Sequence, residues 1–187
     1  TYLIRTFDDL VTAAKIVQMD NKSNFKLMNS ISGAGQKLTQ SIGSETNKYK
    51  GTFDGQGFDI FNFSISNDGT DAALFGTIGA EGTVKRLNVF YDHVDGQRAA
   101  GMAVVNYGLI DDCISGANIS GSINLPNMVG TVDLSTINTF VTGADMAGGI
   151  VVENHGKIQN TSSYAQCIAT DSDGVAGGIA AVNDGII

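Results

Sequence analysis

Short apolar runs, each closed by an asparagine and a glycine, recur down the second half of the chain. Gly101–Ile110, Gly149–Ile158 and Gly178–Ile187 share one frame without a gap. The frame is Gly, an apolar residue, a small or apolar residue, two variable positions, Asn, any residue, Gly, any residue, Ile. Its polar corner falls on Asn106, Asn154 and Asn183, each followed two residues later by Gly108, Gly156 or Gly185. Met128–Ile137 is a degenerate copy with Asp133 and Ser135 at the corner, and Leu74–Val84 fits with one residue inserted. A second pattern follows each anchor: Val84-x-x-Leu87-x-Val89 is echoed by Ile60-x-x-Phe63-x-Ile65 and Ile137-x-x-Phe140-x-Thr142. Ile110-x-x-Cys113 and Ile158-x-x-Thr161 keep the spacing with smaller or more polar residues.

The anchors at 60, 84, 110, 137, 158 and 187 are 24, 26, 27, 21 and 29 residues apart. That period is too long for a hairpin repeat and too irregular for a helical one. Short β-branched runs broken by Asn and Gly turns fit one β-coil per repeat. A single coil cannot bury its own inward row, so successive coils must stack at about 4.8 Å. The predicted fold is therefore an all-β solenoid, a right-handed parallel β-helix, since parallel crossovers are overwhelmingly right-handed. Ile60, Val84, Ile110, Ile137 and Ile158 are expected to form one inward column, with Phe63, Leu87, Cys113 and Phe140 forming a second.

Residues 1–50 have a different texture. Thr6-Phe7-Asp8-Asp9 reads as a capping box, and Leu10, Val11, Ala13, Ala14, Ile16 and Val17 give a helical stripe ending near Asp20. A helix over about residues 6–18 would cover the open end of the apolar column as an N-terminal cap. Phe25–Met28 and Ile31 read as a first strand, and the polar Gly33–Lys50 stretch as a loop. The coils then occupy 51–187, entered through Gly51-Thr52-Phe53-Asp54-Gly55-Gln56-Gly57.

At these residues the chain resembles a family. The frame ending in N-x-G-x-I is similar to the GLUG motif, a short repeat of large bacterial surface and secreted proteins. The helix, strand and G-T-F-D-G-x-G phrase resemble the segment that commonly precedes it. The likeness covers nearly the whole chain and is weakest between Ser115 and Asp145, where the one proline, Pro126, stands and the corner Asn and Gly are lost. Members occur in adhesin-like repeat proteins and beside catalytic modules in some immunoglobulin A peptidases. The resemblance implies an extracellular or cell-surface, non-catalytic array.

Composition narrows the partners. Twenty-four glycines beside one proline, no tryptophan and 16% charged residues suit many tight turns between short strands. The 42% hydrophobic content supports a core, and a net charge of −8 disfavours nucleic acid and anionic membranes. No run approaches the ~18 apolar residues of a membrane span. No cofactor is expected, and the foreseeable partner is an unidentified host or glycan ligand.

Each candidate chemistry has a simpler explanation. The corner asparagines suit a structural ladder in which each amide donates to the next, and both Asn and Gly tolerate the left-handed backbone expected there. Parallel β-helices also include polysaccharide lyases and glycoside hydrolases, so a carbohydrate-active enzyme is the alternative reading. Its two carboxylates would have to lie about 5–10 Å apart, one with a raised pKa. Asp54 and Asp59, Asp68 and Asp71, Asp92 and Asp95, and Asp171 and Asp173 sit in turn-like contexts, while Asp111 and Asp112 are adjacent and should face opposite ways. His93 and His155 lack a nucleophile phrase, Cys113 reads as a small core residue, and Cys113 with Cys167 leaves a disulfide undecided. Calcium at Asp92–Gly96 or Asp171–Gly174 lacks a full loop spacing, and no zinc pattern occurs. Finally, Ile187 falls where earlier repeats begin their next strand. The sequence therefore reads as a piece of a longer array whose signal and anchor lie elsewhere. Its uncapped last coil is expected to fray or to self-associate end to end.

Overall fold

The computed structural model describes residues 1–67, 70–117 and 138–187, and within them the chain forms nineteen strands and one helix. Every strand pairing among the described residues is parallel, which gives a mostly parallel all-β fold. Three sheets are visited in turn. The first contains β1 (Tyr2–Ile4), β2 (Phe25–Leu27), β4 (Thr52–Asp54), β7 (Thr83–Lys85), β11 (Leu109–Asp111) and β15 (Lys157–Gln159), side by side in that order. The second contains β6 (Phe75–Ile78), β10 (Ala103–Asn106), β14 (Val151–Asn154) and β19 (Ala180–Asn183).

The third sheet is the largest. It holds β3 (Ile31–Leu38), β5 (Asp59–Ser66), β8 (Asn88–Phe90), β9 (His93–Ala100), β12 (Ile114–Gly116), β13 (Phe140–Gly148), β16 (Ser162–Tyr164), β17 (Gln166–Ala169) and β18 (Val175–Gly177). From β6 onward each pass crosses the second sheet, then the first, then the third, and returns beside its own previous strand. Parallel strands require such long returns, because no tight hairpin can join them.

Inward side chains line up from pass to pass. Phe25, Phe53, Val84, Ile110 and Ile158 are register partners along the first sheet, and all are buried. Along the second, Phe75, Ala103, Val151 and Ala180 align. The bulk lies toward the amino-terminal end, where Phe53 meets Phe75 edge-on at 5.4 Å and Tyr49 stacks on Phe75 at 5.8 Å.

The helix α1 (Phe7–Met19) closes that end. Thr6 Oγ1 accepts from the Asp9 amide at 3.1 Å, while the Asp9 carboxylate accepts from the Thr6 amide at 3.0 Å. This reciprocal cap satisfies donors that a helix start leaves unpaired. Phe7, Leu10, Ala13, Ala14 and Val17 are buried, and Phe7 packs against Phe63 at 5.5 Å. Burying Phe7, Leu10 and Val17 contributes roughly 5–8 kcal/mol of gross apolar transfer energy.

Several expectations need correcting. Ile60 is buried but pairs with Ile31 and Val89 in the third sheet, and Phe53 takes the place beside Val84 that was expected of it. The Ile60-x-x-Phe63 echo is thus displaced by one sheet. Leu87 and Cys113 do sit side by side, both buried, as Ile114 pairs with Asn88. Phe63 instead pairs with Gln36, and half-buried Phe140 pairs with His93 and Gln166. Ile137 and Asp133 lie outside the described residues. Ile110 pairs directly with Ile158 and β10 directly with β14, so no strand intervenes at either place.

At the amino-terminal end, β1 precedes the helix and was not foreseen. The stretch read as a loop holds most of β3, and Ile42 and Tyr49 bridge to Phe75 and Ile78. Residues 1–50 therefore continue the same sheets as the rest.

Candidate functional site

The repeated corner forms a ladder. Asn106 Nδ2 donates to Asn154 Oδ1 at 2.9 Å, and Asn154 Nδ2 donates to Asn183 Oδ1 at 2.7 Å. Gly108 N donates to Asn106 Oδ1 at 3.1 Å, and Asn154 Nδ2 also reaches the Ile186 carbonyl at 3.2 Å. Asn106 and Asn154 are fully buried, so these amides face inward and present nothing to an external ligand. A buried amide is tolerable only when its donors and acceptor are satisfied, and the ladder supplies each with the next.

The glycines are required for a different reason from the one expected. Gly108, Gly156 and Gly185 are absent from the left-handed region, where Gly35, Gly43, Gly57 and Gly116 are found. A Cβ on Gly108 would collide with the Gly82 carbonyl, one on Gly156 with the Gly108 carbonyl, and one on Gly185 with the Gly156 carbonyl. The corner packs backbone on backbone, and only a hydrogen side chain fits.

Outside the corner lies a shallow groove of about 560 Å³ over these glycines. Tyr107 and His155 stack along its wall at 4.9 Å, and Lys48 Nζ sits 4.3 Å over the Tyr107 ring. His155 Nδ1 lies 2.5 Å from Asp184 and its Nε2 3.3 Å from Glu153. Partial burial pulls the His155 pKa down, but hydrogen bonds to Glu153 and Asp184 and their negative charges outweigh it, and the net shift is upward. Glu153 also receives Arg98 at 2.6 Å, and Arg98 grips Asp71 through two bonds of 2.9 and 2.6 Å. A continuous charged chain, Asp71–Arg98–Glu153–His155–Asp184, therefore crosses the outer face.

Beside Arg98, a cleft of about 520 Å³ is lined by the 39–47 segment on one side and by Asn67, Thr70 and Asp71 on another. Its walls carry Gln40, Glu45, Asn67, Asp71, Thr77 and Gln97. The Lys48 ammonium beside Glu45 holds that carboxyl below its ordinary range. No sequence motif marks this cleft, because its walls come from five separated parts of the chain, around residues 18, 39–47, 67–71, 76–77 and 97.

The other sequence candidates are dispersed. Asp54 is paired with Arg86 and Lys85, Asp59 accepts from Asn88, and Asp111 accepts from Asn160. Asp112 sits at φ 53 just past β11, so the pair is divided by a turn rather than by strand alternation. Asp95 pairs with His93, Asp171 and Asp173 are exposed in a turn, and Asp68 lies outside the described residues. Cys113 and Cys167 are both free; burial pushes the Cys113 thiol up to about 12 and the Cys167 thiol up to about 11. Among the described residues, no group of three His, Cys, Asp or Glu side chains is placed to hold a metal.

No protein-family model matches the chain, and no solved structure matches it. It is similar to Halomucin of Haloquadratum walsbyi, with 32% identity over 94 residues, 49% of this chain and 1% of that protein. It is also similar to a protein of Evansella cellulosilytica provisionally named Gly-rich membrane protein, with 31% identity over 133 residues. That match covers 60% of this chain and 15% of the relative. The chain thus spans a small part of each relative's length. No helix among its described residues is long and apolar enough to cross a membrane.

Proposed function

We propose that the chain is a right-handed parallel β-helix of GLUG-type repeats, a non-catalytic module of a larger surface or secreted protein. It would act in adhesion, in ligand contact or as a spacer. The asparagine ladder carries this reading: each gap-free copy of the frame falls on one pass, and its amide joins that pass to the next. Such an array lengthens by repetition without a new core. Right-handedness follows from the strong preference of parallel crossovers. The names of the two relatives, one a mucin and one a membrane protein, support a surface setting, and their lengths support a modular part.

The carboxylates also favour a binding role. Glu45 is held below its ordinary range by Lys48, whereas a general acid needs a raised pKa.

Antibodies against the chain should label intact cells or collect protein from the medium, and signal confined to lysed cells would refute the surface assignment. Incubation with a polysaccharide panel should release no reducing ends or unsaturated products. Turnover of any member would refute the non-catalytic assignment.

A further inference from the structure

We propose that the cleft beside Arg98 binds a neutral saccharide; this rests on the non-catalytic reading above and names the ligand class. Its volume of about 520 Å³ falls within the range of small-molecule sites. The walls are chemically selective. Among the described residues they carry amides, hydroxyls, glycines and two carboxylates, with no large apolar side chain, so an apolar ligand would find only methylene, methyl and backbone carbons to cover. Glu45 and Asp71 are each already paired, with Lys48 at 2.9 Å and with Arg98 at 2.6 Å, so neither an anion nor a cation finds an unpaired opposite charge in the walls. What remains favourable is an uncharged molecule dense in hydroxyl groups, each able to donate to a fixed carboxylate or amide oxygen.

The walls are also held in place before any ligand arrives. Ile42 N donates to Leu74 O at 2.9 Å and Tyr49 N to Thr77 O at 2.9 Å, which seats the 39–49 segment on β6. Asn47 Nδ2 ties that segment to the Val17 carbonyl of α1 at 2.9 Å. Opposite, Asn67 Nδ2 donates to Asp71 O at 2.9 Å and Gln97 N to Thr70 O at 2.7 Å. Gln40 and Gln97 are half-buried, and their side-chain amides have no partner among the described residues. They are donors and acceptors available to a ligand, and preorganisation of the walls lowers the ordering cost of binding one.

The test is calorimetry and ligand-observed NMR on the full chain with cellobiose, maltose and lactose as neutral probes. Digalacturonate and an anilinonaphthalene dye serve as the anionic and apolar probes. At least one neutral disaccharide should bind, and Gln40→Ala with Gln97→Ala should weaken it by roughly tenfold or more without changing Tm. Should that double variant unfold, Gln97→Glu alone should produce the same loss. Absence of neutral binding, binding untouched by these substitutions, or preference for the anionic or apolar probe would overturn the site. Binding with release of monosaccharide would leave the site standing and overturn the non-catalytic reading instead.

Discussion

Replacing Asn154 with alanine separates the structural ladder from ordinary turn chemistry. The side chain is fully buried, accepts from Asn106 at 2.9 Å, and donates to Asn183 at 2.7 Å and to Ile186 O at 3.2 Å. Three bonds vanish at once, but their consequences differ. Asn183 and Ile186 are exposed, so water replaces what they lose. Asn106 is buried; its Oδ1 still accepts from Gly108 N at 3.1 Å, but its Nδ2 keeps only two long contacts, to Gly108 O at 3.4 Å and Lys157 O at 3.5 Å. Its stranded amide costs about 1–3 kcal/mol, and the remaining net bonds add about 1 kcal/mol. A loss of roughly 2–4 kcal/mol is a large share of a typical domain's stability.

Asn183→Ala, by contrast, removes an exposed end of the ladder and should cost under about 1 kcal/mol. Because stacked passes can open locally, hydrogen exchange at β10, β14 and β19 should accompany urea midpoints. Asn154→Ala should expose amides of all three strands, and Asn183→Ala those of β19 alone. If the two variants lose stability equally, within about 0.5 kcal/mol, the ladder does not join the passes and the argument fails.

Val84→Asp places an unpaired carboxylate between Phe53 and Ile110 and should cost several kcal/mol, read from the urea midpoint; a near-neutral outcome would refute the column. Thr6→Ala removes one half of the capping box and should cost about 1 kcal/mol, with lost protection confined to α1 in hydrogen exchange. The raised pKa of His155 makes its contribution full below the unfolded value of about 6.5 and lost as pH climbs through the folded value. Protection of β19 amides should therefore fall as pH rises above about 6.5, and His155→Gln should flatten the dependence. Both cysteines should stay unlabelled longer in native protein than in urea, Cys113 the more so, since it is 1% exposed.

Local chemistry was written plainly in the sequence. The capping box of Thr6 and Asp9, the stripe through Val17, and the N-x-G corner all follow from contacts spanning a few residues, which spacing alone specifies. The gap-free frames also aligned Ile110 with Ile158, because passes built alike repeat their register. The partner of Val84 depended on tertiary structure, since Phe53 and Ile60 are both apolar, both buried and only seven residues apart. Which of them meets Val84 is decided by the path of the chain through Gly55 to Gly57, and a shift there changes sheets without changing hydrophobicity. The direct pairing of β10 with β14 and of Asn106 with Asn154 was likewise a tertiary outcome, since the order of the copies along the chain does not fix which passes are neighbours. The glycine requirement at the corner arose from carbonyls a pass away, and the polar cleft from five separated parts of the chain brought together by the fold. Short-range periodicity determines strands and turns; only long-range packing chooses their neighbours.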